Sequence, residues 1–384
     1  MSERKLKAWS NAGLIDEATV ARIRDWEAKN ARPLGLWALI GLGALAIGLG
    51  LVSVVAANWD AIPGLARLSI HFLLIAAMAG FMIWRSIREA TVNAYFHDAM
   101  LFTFGALGLT FFGHIGQVYQ TNSPLWQPLV LWLMIFTPLF LGFGRGWLAA
   151  AMWLSVLCYT AYEHWGWYLD RNLIFDVSQQ GSKNVPTLYM GVVSSLPAFV
   201  MALAALMREQ SNRHDFWRRL EQLGIMLIVL GVTGFQLAYA FGAGRGLGQV
   251  EVASVQAACL VIAASAIRFA RSTRSGTATA AILVAGALTL LLAMGVHASS
   301  VGTGLLFMIF WGAIAGAALF AGWRFVFQIS VATLALRLII LSFELASDLL
   351  GSGLGLILAG LATLGIAWIA INISRNYAPK GETA

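Results

Sequence analysis

Arg337 has the strongest claim to chemistry in this sequence. It stands about twelve residues into an apolar run, Phe325 to Leu345, that is long enough to cross a bilayer. A charge at that depth costs roughly 2.5–3.5 kcal/mol on insertion scales, so such a residue faces a bundle interior or a wet cavity and is paired. Glu344 and Asp348 follow on the same segment, spaced i,i+4 on one helical face. Glu344 lies about 10.5 Å beyond Arg337 at 1.5 Å per residue. Because Cα–Cβ bonds tilt toward a helix N-terminus, Arg337 is expected to point away from Glu344. Its counter-ion should then come from another helix, a ligand or water. A guanidinium so placed either locks two helices together or receives an anion or lipid head group.

Other polar residues gather where neighbouring apolar runs end on the same side: Asn58 and Asp60 after the first run, and His114, Gln117 and Tyr119 after the third. With Arg337, Glu344 and Asp348 they are the candidate ligand-binding set, expected to converge on an outward-facing vestibule. Glu163 and His164, beside Asp170 and Asp176 in the longest outer loop, are candidates for acid/base chemistry, although adjacency does not make a dyad. The six histidines are dispersed without metal-ligand spacing. Nothing resembles a nucleotide-binding or nucleophile motif, so no catalytic residue, metal or cofactor is assigned and the expectation leans away from an enzyme.

The elements that must position these residues are apolar helices of about 20 residues. Twelve spans are predicted: Leu34–Ala56, Ala66–Trp84, Ala99–Gly116, Pro128–Phe143, Trp147–Tyr162, Leu188–Met207, Leu223–Ala240, Val252–Ile267, Thr277–Met294, Thr303–Ala321, Phe325–Leu345 and Leu354–Ile373. The fourth is short and carries Pro128 and Pro138, which leaves open a tight or re-entrant hairpin with the fifth around Gly142, Gly144 and Gly146. Of the 25 Lys and Arg, 20 fall in segments on one side of these spans and 3 on the other. That bias places both termini in the cytoplasm.

Composition agrees. The 384 residues are 59% hydrophobic and 11% charged, against about 25% charged in soluble domains. The formal charge of +7 reflects the flanks of apolar runs and implies no nucleic-acid partner. Cys158 and Cys259 lie inside apolar runs and are expected as inert buried thiols. The fold class is therefore all-α: a polytopic transmembrane bundle of about 12 spans over residues 34–373. A short cytoplasmic helical pair precedes it over 1–33, and a cytoplasmic tail follows over 374–384. In the N-terminal pair a first helix over about Glu3–Ser10 should break at Asn11–Gly13. Asp16 should cap a second, on which Val20, Ile23 and Trp26 share a face. That face suits either the anionic inner leaflet or a protein partner.

Three segments resemble the predicted bacterial membrane proteins of domain-of-unknown-function family 2157. They are the N-terminal GLIDEATVARI before a Gly-rich span, AANWDAIPGLARL from Ala56 to Leu68, and GHIGQVYQTNSPLWQPLVLW from Gly113 to Trp132. The resemblance covers roughly the first third of the chain. It implies a multi-pass inner-membrane protein of uncharacterised activity and brings no catalytic residues. Two functions follow as expectations. One is a transporter or lipid-handling protein with membrane lipids around it and substrate entering near Arg337. The other is a non-catalytic scaffold or sensor recruiting a protein partner through the N-terminal helices.

Overall fold

A computed structural model describes residues 9–29, 61–88, 94–175, 184–211, 213–240, 249–295, 300–345 and 353–377, with scattered positions among the first 60. Two compact units divide the chain, Met1–Arg67 and Leu68–Ala384.

In the first unit, the chain turns at Gly13, whose φ of +70° is a conformation glycine adopts without a Cβ penalty. Gly13 N donates to Ser10 O and Leu14 N to Trp9 O, the paired bonds that satisfy the last carbonyls of a helix. Helix α1 (Glu17–Lys29) follows. Thr19 N donates to Asp16 Oδ1 at 3.2 Å, so Asp16 is the cap that its position predicts. Val20 and Ile23 are half-buried, whereas Trp26 on the same face is exposed. At the far end of the unit Arg67 Nε donates to Ile62 O at 2.7 Å, folding the guanidinium back onto the turn before helix α2.

The second unit is built from helices alone among the described residues. They are α2 (Gly64–Arg88, whose first turn belongs to the first unit), α3 (Ala94–Tyr119), α4 (Trp126–Phe143), α5 (Trp147–Phe175), α6 (Asn184–Ser194) and α7 (Leu196–Gln210). After them come α8 (His214–Ala240), α9 (Gln249–Ala270), α10 (Arg274–Gly295), α11 (Ser300–Ala321), α12 (Arg324–Leu345) and α13 (Gly353–Tyr377). Eight of these are long and apolar enough to cross a membrane, or nine if α6 and α7 form one broken span.

The expectation of twelve spans is thus higher than the count among the described residues, and each difference has a reason. The first predicted span lies outside the described residues, and several positions of α13 are undescribed. Helix α5 runs on to Phe175, and its Tyr159, Tyr162, Glu163 and His164 dilute the apolar stretch. It also takes Glu163 and His164 out of the loop in which they were expected. The sixth span is bent by 47° at Ser195. Pro197 has no N–H to continue the ladder, and Ser195 Oγ donates back to Gly191 O at 2.7 Å. The fourth span is a full 18-residue helix with Pro138 inside it.

Helix α8 is central, packing against α5, α7, α10 and α11, while α9 to α13 each pack against the next in sequence. One core, around Leu260, Leu283 and Phe310, joins α7 to α11. Another, around Trp132, Phe140, Trp153 and Phe216, joins α3, α4, α5, α7 and α8. Large apolar side chains also face outward, with Leu73 65%, Phe269 89% and Trp368 68% exposed. In water such a surface would be an aggregation liability; against lipid it is the expected exterior.

Gly108 allows α3 and α4 to meet. A Cβ there would lie 2.4 Å from Phe136 Cζ, and Phe136 is itself stacked on Trp132 with ring centroids 4.9 Å apart. Gly108→Ala should therefore lower stability by about 1–3 kcal/mol. Gly113→Ala on the same helix meets nothing within 4 Å and should be nearly neutral. Denaturant or SDS titration of both variants in micelles checks the contrast, and equal stabilities would contradict it.

Candidate functional site

Arg337 is buried on α12, and its counter-ion is Glu344 of the same helix. Nη1 donates to Glu344 Oε1 at 2.9 Å and Nη2 to Oε2 at 3.4 Å. This corrects the expectation that Arg337 points away from Glu344. Residues seven apart are two turns apart and share a face. The Cα–Cβ tilt governs only the first bond, and the long arginine stem carries the guanidinium back along the helix. Gly304 on α11 makes room, since a Cβ there would stand 3.5 Å from Nη2. The third edge of the guanidinium, Nε, is buried with no hydrogen-bond partner.

Orphaned polar atoms recur on α11, which packs beside it, and on α8, which packs against α11. Both amide atoms of Gln236 and the Thr233 hydroxyl on α8, and the Trp311 indole N–H on α11, are buried without partners. Helix α8 packs on α11, and α11 on α12. Buried polar groups are nearly always satisfied, and an orphaned group calls for a water, an ion or a ligand.

Asn58, Asp60 and Asp348 lie outside the described residues. Gln117 and Tyr119 are exposed on the last turns of α3. That helix packs against α4 and α5, whereas α12 packs against α11 and α13. His114 meets a histidine that its spacing could not reveal, His71 on α2, with the two Nδ1 atoms 2.7 Å apart. His71 Nε2 faces Leu107 O at 3.0 Å and Thr110 Oγ1 at 3.3 Å.

Glu163 and His164 do not form an acid/base pair. His164 Nδ1 hydrogen-bonds the Tyr189 hydroxyl, and the ring is packed by Trp126 and Trp167. Glu163 hydrogen-bonds Tyr159 one turn away. Cys158 and Cys259 are free thiols, half-buried and buried respectively.

Two charged clusters at the other end of the bundle went unnoticed in the sequence. Arg271, in the turn between α9 and α10, donates through Nη1 to both oxygens of Glu221 on α8, at 2.7 and 2.8 Å. Its Nη2 donates to Ser275 Oγ at 2.7 Å, and its Nε lies 3.8 Å from Glu209. Arg208 at the end of α7 adds a contact to Glu221 at 3.2 Å. Glu221 and Arg271 side chains are only 8% and 6% exposed. In the second cluster, buried Asp98 of α3 accepts from Arg145 N at 2.9 Å. Its other oxygen would lie 2.8 Å from a Cβ on Gly146. Helix α3 begins at Ala94, and the carboxylate sits at the N-terminus of α5, where the helix dipole favours it.

No curated protein and no solved structure matches the chain. The model of one family, described as "Predicted membrane protein (DUF2157)", matches residues 7–149. The chain is thus a multi-pass membrane protein whose first third or so is similar to that family of unknown function.

Proposed function

We propose that this chain is a carrier of the bacterial inner membrane, with both termini cytoplasmic, that binds a small anion or a lipid head group beside Arg337. The observation that carries this reading is the set of orphaned buried polar atoms on α8, α11 and α12, headed by Arg337 Nε. The charge distribution, with 20 of 25 Lys and Arg on one side, supports the orientation. That orientation brings Gln236, Trp311, Arg337 and Glu344 to the outer half of the bundle. Glu344 neutralises one edge of the guanidinium and so keeps it tolerable in a low-dielectric interior. The edge that Glu344 leaves open is a planar donor suited to a carboxylate or phosphate oxygen. A ligand there would satisfy groups that the helices leave bare, and ligand sites are commonly apolar with a few convergent polar groups.

Native mass spectrometry of the full-length protein released from lipid nanodiscs tests the reading, wild type beside Arg337→Gln. The expected result is a discrete small molecule or lipid that travels with the wild type and is lost from the folded variant. Identical spectra carrying only bulk lipid would make Arg337 a helix lock and end the carrier reading at this site.

A further inference from the structure

We propose that His71 and His114 form a proton-binding site, in which one proton is shared between their facing Nδ1 atoms. The tautomers lead to this. His71 Nε2 faces Leu107 O, which can only accept, so Nε2 carries a hydrogen. In neutral His71 the Nδ1 atom is then a bare acceptor. The 2.7 Å approach of His114 Nδ1 places one hydrogen between the two rings. In the uncharged state that hydrogen belongs to His114. Uptake of one proton from water onto His114 Nε2, the ring nitrogen that carries no hydrogen in that tautomer, makes the pair a single cation that shares the Nδ1 hydrogen, with nothing oxidised or reduced. The N···N separation is at the short end of the range for charge-assisted bonds.

The surroundings hold such a cation in place. His71 is 7% exposed, and Leu107 O and the Thr110 hydroxyl accept from its far side. The Phe111 ring meets it edge to face at 5.4 Å, and the two imidazoles stand perpendicular, 4.8 Å between centroids. Arg67 stands one turn before His71 on α2, turned toward Ile62 O. Tyr119 follows on α3, while His97 and Asp98 lie more than four turns away at its other end. Helix α4 has no ionisable side chain. Helix α5 carries Cys158, Tyr159, Tyr162, Glu163 and His164, then Tyr168, Asp170 and Arg171 toward its end; Glu163 is engaged by Tyr159 and His164 by Tyr189. No group of three His, Cys, Asp or Glu with metal-holding geometry forms among the described residues, so the donor set suits a proton better than a metal ion.

This site is independent of what Arg337 binds, and the failure of either leaves the other standing. The test is nitrogen NMR of the full-length protein in nanodiscs with labelled histidine, from about pH 8 to about pH 5. The expected result is coupling between the two Nδ1 nuclei across the hydrogen bond, with both rings titrating together and taking up one proton per chain. In His114→Gln the amide still donates to His71, so the helices stay joined. The coupling across the hydrogen bond should then be lost, and with it the uptake of a proton by the two rings as one unit. Should that variant fail to fold, the coupling and the joint midpoint of the wild type decide alone. Rings that take up protons separately or not at all, or no coupling between the two Nδ1 nuclei in the wild type, would overturn the proposal.

Discussion

Glu221→Ala should destabilise the bundle by about 3–5 kcal/mol, the usual consequence of stripping one partner from a buried ion pair. Arg271 would be left 6% exposed, with a serine hydroxyl and a carboxylate 3.8 Å away as its remaining partners. Arg208 would lose its contact as well. The loss should exceed that of Arg271→Ala, because Glu221 would keep Arg208 there. Replacing both partners, as in Glu221→Leu with Arg271→Leu, should recover most of the stability, since an apolar pair of similar volume asks for no desolvation of charge. The double variant would then be more stable than the sum of the single losses implies, which is the mark of direct coupling. Denaturant or SDS titration of the four proteins in micelles measures this. A cost below about 1 kcal/mol for Glu221→Ala would mean that the cluster behaves as a solvated surface pair.

The helices were legible in the sequence because the bilayer imposes a length of about 20 residues and forbids lipid-exposed breaks in the backbone. The eight described spans all sit where apolar runs predict them. The bend at Ser195 was written in Pro197, but a continuous apolar run from Leu188 hid it. Arg337 was found because hydropathy makes a charge conspicuous. Its partner was not legible, because the Cα–Cβ vector leads away from Glu344 while the long side chain carries the head group back to it. The remaining contacts could not be read at all. His71 and His114 are 43 residues apart, and Arg271 and Glu221 are 50 apart. Such pairs depend on which helix lies beside which. Hydrophobicity alone cannot fix that, because every span presents the same apolar face to lipid and to its neighbours.

Separating the structural from the binding role of Arg337 is the second large effect expected. Glu344→Ala should cost about 3 kcal/mol, toward the lower end for a buried pair, because the Glu344 side chain is 29% exposed and water can reach part of the vacancy. The guanidinium would then be held only by its place beside Gly304. The double variant Arg337→Met with Glu344→Leu should return close to wild-type stability, since methionine keeps the unbranched stem and adapts to irregular space. If Arg337 were only a helix lock, that restored protein would also keep whatever the wild type carries. A binding guanidinium gives the opposite pattern, a stable bundle that releases no discrete ligand from nanodiscs. Glu344→Gln completes the set, because its amide still accepts one bond from Arg337 while withdrawing the charge. A ligand that binds through the guanidinium should be held at least as tightly in that variant, there being no carboxylate left to compete for the donor. Weaker binding in Glu344→Gln would show instead that the intact ion pair, rather than the arginine alone, forms the recognition surface.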